Sequence, residues 1–182
     1  MSEEAEVPGN GRRRWLPLLG LGGAALLYVT VWQLPALVGG LHRETSELRA
    51  QLHTAAGGWV EASPGASLPG QARVRFRVWL ERPASLVLIG INSNGRATLY
   101  LPQSGVPPRL EAGLSMPAEV TLDGVEGPEL FVAVLCHTPL SASVVLKAAE
   151  RAAAAAETPS HVQTLDLGCP EAHLLLRKEP LP

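Results

Sequence analysis

Two hydrophobic rhythms divide this chain. From Trp15 to Leu41 the text WLPLLGLGGAALLYVTVWQLPALVGGL holds no charged residue. Beyond residue 70 the apolar residues come in short runs punctuated by Gly, Pro and Asn. A bilayer core takes about 20 apolar residues in a helix, so the first pattern predicts a transmembrane helix over residues 15–40. Pro17 falls in its first turn, where a missing N–H costs little, and Pro35 in its last. The second pattern predicts a β-rich domain over residues 71–182.

Within that domain, residues 72–80 read ARVRFRVWL. Val74, Phe76, Val78 and Leu80 alternate with Arg73, Arg75, Arg77 and Trp79, the period of a half-buried strand. Residues 85–91, SLVLIGI, predict a more buried strand, and 96–101, RATLYL, its return partner. Asn92-Ser93-Asn94-Gly95 lies between them, and Asn-Gly between apolar runs is a strong hairpin signal. Pro102 ends the return strand, and 102–117 read as a Pro- and Gly-rich loop. Further strands are expected at 118–122, 129–136, 161–167 and 172–178. A helix follows Pro139, with Ser141 as its N-cap and Pro159 as its stop. The expected fold is mainly β: an antiparallel β-sandwich with one packed helix, preceded by a single transmembrane helix.

The intervening residues read differently. Leu41, Thr45, Leu48 and Leu52 are spaced 4, 3 and 4 apart, and Arg43 can pair with Glu47. This spacing predicts a helical stalk over 41–56, either a weak homodimer contact or a short extension of the membrane helix. Gly57, Gly58, Pro64, Gly65, Pro69 and Gly70 predict a linker over 57–70.

Charge orients the scheme. Arg12, Arg13 and Arg14 directly precede the apolar run, and basic residues mark the cytoplasmic side. Residues 1–14 are thus expected as a cytoplasmic tail, with everything after about residue 42 outside. The abundance of Ala, Gly and Pro, and of Arg over Lys, suits a GC-rich bacterial genome. The expected location is the bacterial inner membrane, with a single pass and a periplasmic domain. A cleaved signal peptide would have a shorter apolar region, although Val38-Gly39-Gly40 is a fair cleavage site. Arg12-Arg13-Arg14-Trp15-Leu16 loosely matches a twin-arginine export signal but lacks the usual flanking residues. A buried core helix would be shorter. Gly20 and Ala24 allow two spans to approach closely, as small residues do in many membrane helices. In an oxidising compartment Cys136 and Cys169 are expected to form a disulfide.

Candidate chemistry is sparse. The net charge of −2 gives no field favouring nucleic acid. Ser93 lies in no G-x-S-x-G setting, and the two aspartates, Asp123 and Asp166, lie in no acid–base or metal motif. Phosphate-binding glycine loops are absent from the sequence. Cys136, His137, His161, Cys169 and His173 have no zinc-site spacing, so no metal or other cofactor is expected. The row Arg73, Arg75 and Arg77, with Trp79 beside it, is the most distinctive surface feature. It reads either as a face for an acidic partner or as a solvated sheet face protected by charge.

One resemblance spans residues 72–140. GINSNGRATLYLP, then Met116-Pro117, then GPELFVAVLCHTPL occur in the order found in a bacterial domain-of-unknown-function family of extracytoplasmic and multidomain signalling proteins. Asn92 stands where that family usually has Asp, and Leu130 where it usually has Arg. The resemblance implies a fold and no reaction. The expected function is a non-enzymatic accessory or protein-interaction module at the inner membrane, with an envelope or signalling protein as partner. The alternatives are a regulator of transmembrane signalling, associated with a sigma factor or kinase, and an enzyme.

Overall fold

A computed structural model describes residues 46–180. Its strands are β1 Glu47–His53, β2 Trp59–Ala62, β3 Ser67–Pro69, β4 Arg73–Leu80, β5 Ala84–Ile91, β6 Ala97–Leu101, β7 Arg109–Leu110, β8 Gly113–Thr121, β9 Gly127–Cys136 and β10 Glu171–Glu179. One helix, α1 (Ala142–Ala155), lies between β9 and β10. No helix among the described residues is long and apolar enough to cross a membrane. The apolar run at 15–40 and the expected cytoplasmic tail 1–14 lie outside the described residues.

The strands make two sheets. One has the order β2-β1-β4-β8, and the other β3-β10-β9-β5-β6 with β7 also on β5. The pairings are antiparallel except β3 with β10, so the second sheet is mixed rather than wholly antiparallel. Phe76, Phe131, Leu86, Leu88, Leu174 and Leu176 are among the residues that fill the space between the sheets. On the far side of the second sheet, α1 packs Val145, Ala148, Ala149 and Ala153 against β5 and β6. Its alanines let the helix axis approach the sheet closely. All of β5 is buried because sheet and helix cover its two faces, which explains a continuous apolar run in place of alternation. The sandwich with one packed helix is thus present, as three layers.

Over the described residues, from 46 onward, the expected helical stalk and linker are overturned. Residues 47–53 form β1, which pairs with β4 from Glu47↔Trp79 to Leu52↔Val74. The sequence ELRAQLH satisfies two periods at once. Leu48 and Leu52 fit a helix, but Leu48, Ala50 and Leu52 also alternate, and an open edge of β4 accepts that alternation. Leu48 is buried in the inter-sheet core and unavailable to a coiled-coil seam. The expected linker contains β2 and β3, and the Gly and Pro residues there mark tight turns. The fold already includes residues from Glu47 onward, well before the expected start at residue 71.

Three smaller differences follow the same logic. The loop expected at 102–117 includes β7 and the start of β8, whose span Gly113–Thr121 begins five residues before the strand expected at 118–122. Residues 161–167 are not a strand. After a 3-10 turn at Pro159–His161, the Leu165 N–H donates to the Glu171 carboxylate at 3.0 and 3.1 Å, so its hydrogen bond goes to a side chain rather than to a neighbouring strand. Ser141 occupies the N-cap position of α1, but its hydroxyl meets Ser143 Oγ rather than capping the backbone.

The β5–β6 turn sits where Asn-Gly placed it. Gly95 N–H donates to Asn92 O at 2.9 Å and Asn92 N–H to Arg96 O at 3.1 Å. Of the central residues only Gly95 has positive φ, +72°. The loop is a three-residue hairpin closed by a left-handed glycine. Gly95→Val should cost about 1–2 kcal/mol, the penalty of that backbone region for a residue with a Cβ. Thermal unfolding of the purified protein measures it, and an unchanged midpoint removes the conformational role of Gly95.

Candidate functional site

Two places combine polar side chains with an unusual environment. The first is the outer face of the four-stranded sheet, which no layer of the described residues covers. Alternation along β4 sends Arg73, Arg75, Arg77 and Trp79 to this face, as the sequence predicts. The register of the neighbours supplies what the sequence does not show. Gln51 lies opposite Arg75, Arg49 opposite Arg77, and Glu119 of β8 opposite Arg75. Arg73 pairs with Glu119, which Arg75 also approaches at 3.4 Å. Glu61 of β2 lies 3.0 Å from Arg49 and 3.7 Å from Arg77, and Arg49 also binds Glu47 at 2.7 Å. Hydrogen bonding from Arg73, above all, holds the Glu119 carboxyl below its ordinary pKa. The face is therefore a ladder of ion pairs: four arginines against three glutamates, not a bare basic ridge.

Aromatic and aliphatic groups interrupt the ladder. The Arg75 guanidinium lies over the Trp59 ring, 4.0 Å from its centroid, a cation–π contact. His53 packs edge-on to the same ring. At the other end of the face Trp79 is 49% exposed, Leu114 49% and Met116 60%. Glu47, Arg49, Arg77, Trp79 and Leu114 line a shallow depression there. The Nε of Arg77 is buried with no hydrogen-bond partner.

The second place lies between the sheets. Glu129 on β9 is 0% exposed and Lys178 on β10 is 2% exposed, both on the core side of their strands. Lys178 Nζ is 2.7 Å from Glu129 Oε2 and also pairs with Asp123, in the connection after β8. Tyr100 Oη donates to Glu129 Oε1 at 3.0 Å. The Val125 N–H donates to Asp123 Oδ1 at 3.1 Å. Burial pushes the Glu129 carboxyl above its ordinary pKa, against the opposing pull of Lys178. Burial, and then the adjacent Glu129, push the Tyr100 hydroxyl up as well. Protonated Glu129 therefore adds stability that is fully present below the unfolded carboxyl value and lost as pH rises through the folded one. Gly90 on β5 makes room for the cluster, since a Cβ there would lie 2.2 Å from Glu129 Oε1. Sequence reasoning missed this site. The available signal was a glutamate opening the apolar run ELFVAVLC and a lysine on the same alternation as Leu174 and Leu176 in EAHLLLRK.

Cys136 and Cys169 form a disulfide with a Cα–Cα distance of 5.1 Å, as expected from the sequence. Neither is available as a metal ligand, and among the described residues no group of three or more His, Cys, Asp or Glu could hold a metal ion. The Ser93 hydroxyl donates to Glu126 O at 2.6 Å and has no catalytic base in that bond. A broad depression of about 680 Å³ between the end of α1 and residues 161–166 is open to solvent. The chain matches no protein-family model, no curated protein and no solved structure.

Proposed function

We propose that this protein is a membrane-anchored, non-enzymatic accessory module that faces the periplasm and binds an envelope protein through the outer face of its four-stranded sheet. One observation carries the reading. The six-stranded sheet has its outer face covered by α1, whereas the four-stranded sheet leaves Trp59, Trp79, Leu114 and Met116 on a face braced by arginines. Tryptophan and arginine dominate the energetics of protein interfaces, because each combines apolar area with donors. The ion-pair ladder holds the arginine side chains in place, which lowers the entropy lost on binding. The charge-free run from Trp15 to Leu41 behind three arginines supports the anchor and its orientation.

A second reading, regulation of transmembrane signalling beside a sigma factor or kinase, draws on the resemblance over residues 72–140.

The test uses the full chain in its membrane. Alkaline phosphatase fused after Pro182 should be active, and a cytoplasmic reporter at the same place inactive. A photoreactive amino acid at position 79 should give a discrete adduct. The same group at position 144, exposed on α1, should give none. Active cytoplasmic reporters sink the anchor, and equal adducts from both positions, or none from 79, sink the interaction face.

A further inference from the structure

The buried cluster plays no part in the open face, and its chemistry leads elsewhere. We propose that the side chains of Lys178 and Asp123 become joined by an amide bond, formed by the folded domain itself with Glu129 as proton carrier.

An amine and a carboxylic acid do not condense in water for three reasons. They meet rarely, the amine is protonated, and water drives the product back. The site counters each. Lys178 Nζ is held against Asp123, and fixed contact of this kind gives high effective concentration. The Lys178 ammonium lies 2.7 Å from Glu129 Oε2, a buried oxygen that accepts no hydrogen bond in the resting structure and is therefore open to receive a proton from it. Tyr100 holds the other oxygen of Glu129, and the raised pKa of the Glu129 carboxyl favours its keeping the proton. Phe131 packs against both Phe76 and Tyr100, which helps keep the Glu129 end of the site dry. The freed lone pair of Lys178 attacks Cγ of Asp123. The Val125 N–H, already on Asp123 Oδ1, stabilises the charge that develops on that oxygen.

The step balances without an oxidant, a metal or a nucleotide. An N–C bond forms and a C–O bond breaks. The lysine ammonium begins with three protons and the aspartate carboxylate with none. One proton stays on the amide nitrogen. The other two depart on the leaving oxygen as water, one of them delivered by Glu129, which returns to its starting state. The Asp123 side chain is 35% exposed, which gives that water an exit.

The bond has a structural consequence. Asp123 follows β8 of one sheet and Lys178 lies on β10 of the other, so the amide ties the sheets together. Cys169 precedes β10, and its disulfide to Cys136 holds the strand's opposite end. The last strand is then clamped covalently at both ends.

Peptide mapping and intact mass of the full chain, extracted in detergent, reduced and denatured, decide the matter. The wild type should be lighter by one water, relative to Lys178→Arg prepared alike and corrected for the substitution. Proteolysis should release a branched peptide joining the segments that hold Asp123 and Lys178. Asp123-Gly124 can also lose one water by cyclising on itself. That loss would persist in Lys178→Arg and give no branched peptide, and finding it alone overturns the proposal. Glu129→Gln keeps both reacting groups and should leave most of the protein unlinked. A fully linked Glu129→Gln removes the proton-carrier role. Wild-type protein at the full sequence mass, with linear peptides only, overturns the bond whether or not the variants fold.

Discussion

Gly90→Ala is expected to destabilise the domain by about 1–3 kcal/mol, the range for overpacking a filled core. Backbone conformation is not the cause, because φ at Gly90 is not positive. The cause is space. The new methyl would lie 2.2 Å from Glu129 Oε1 and 2.7 Å from a ring carbon of Tyr100. A carboxylate at the end of a flexible side chain can usually swing aside. Here Tyr100 and Lys178 hold it, and the residue is fully buried between two sheets. Moving it separates it from its partners and leaves Lys178 with Asp123 alone. Denaturant unfolding measures the loss, and a change under about 1 kcal/mol would show that the cluster relaxes around an added methyl. Crosslink yield in the same variant is a second, independent readout, since a displaced Glu129 no longer reaches the lysine amine.

Removing the disulfide should have an effect at least as large. Cys136 and Cys169 are 33 residues apart in sequence, and a closed loop of that length stabilises by about 3–4 kcal/mol on the chain-entropy model. The loop contains α1 and the irregular stretch after it. That stretch is anchored otherwise by Val162, Leu165 and the Glu171 carboxylate. Replacing both cysteines with Ala should lower the unfolding midpoint. The wild type in reductant should shift by a similar amount, while the double variant should be insensitive to reductant. Equal midpoints for all three samples would mean that the bridge contributes nothing to stability.

The two effects differ in how far the sequence foreshadowed them. The cysteine pair could be proposed from the export topology and from the ends of two predicted elements. The Gly90 cluster could not. Lys178 and Asp123 are 55 residues apart, and neither sits in a motif. A charged residue at the end of an apolar run also reads naturally as a strand boundary. Only the pairing of β9 with β10, Leu176 opposite Glu129, sets Lys178 and Glu129 diagonally on one face. Only the packing of the sheets then brings Asp123 to the same point.

The same division runs through the open face. The alternation of ARVRFRVWL specifies a strand and the face its arginines share, because successive side chains in a strand must point oppositely. It says nothing of Glu61 and Glu119, which arrive from strands on either side through non-local pairing. Nor could ELRAQLH decide its own state. Its apolar residues satisfy both a helical and a strand period, and a seven-residue segment has too little intrinsic preference to choose. The edge of β4 chose, by burying Leu48 and Ala50 against the other sheet.

The sequence by itself therefore determined what depends on neighbours in the chain. It specified the charge-free N-terminal run, the strands β4, β5, β6 and β9, the left-handed glycine of the hairpin and the helix stopped before Pro159. Tertiary structure alone decided what depends on partners far apart in the chain. It turned residues 47–53 into a strand, paired β3 parallel to β10, set glutamates against the arginine row and enclosed Lys178, Asp123, Glu129 and Tyr100 together. The physical reason is common to all four. Local pattern fixes which way a side chain points, whereas sheet register and layer packing fix what it meets.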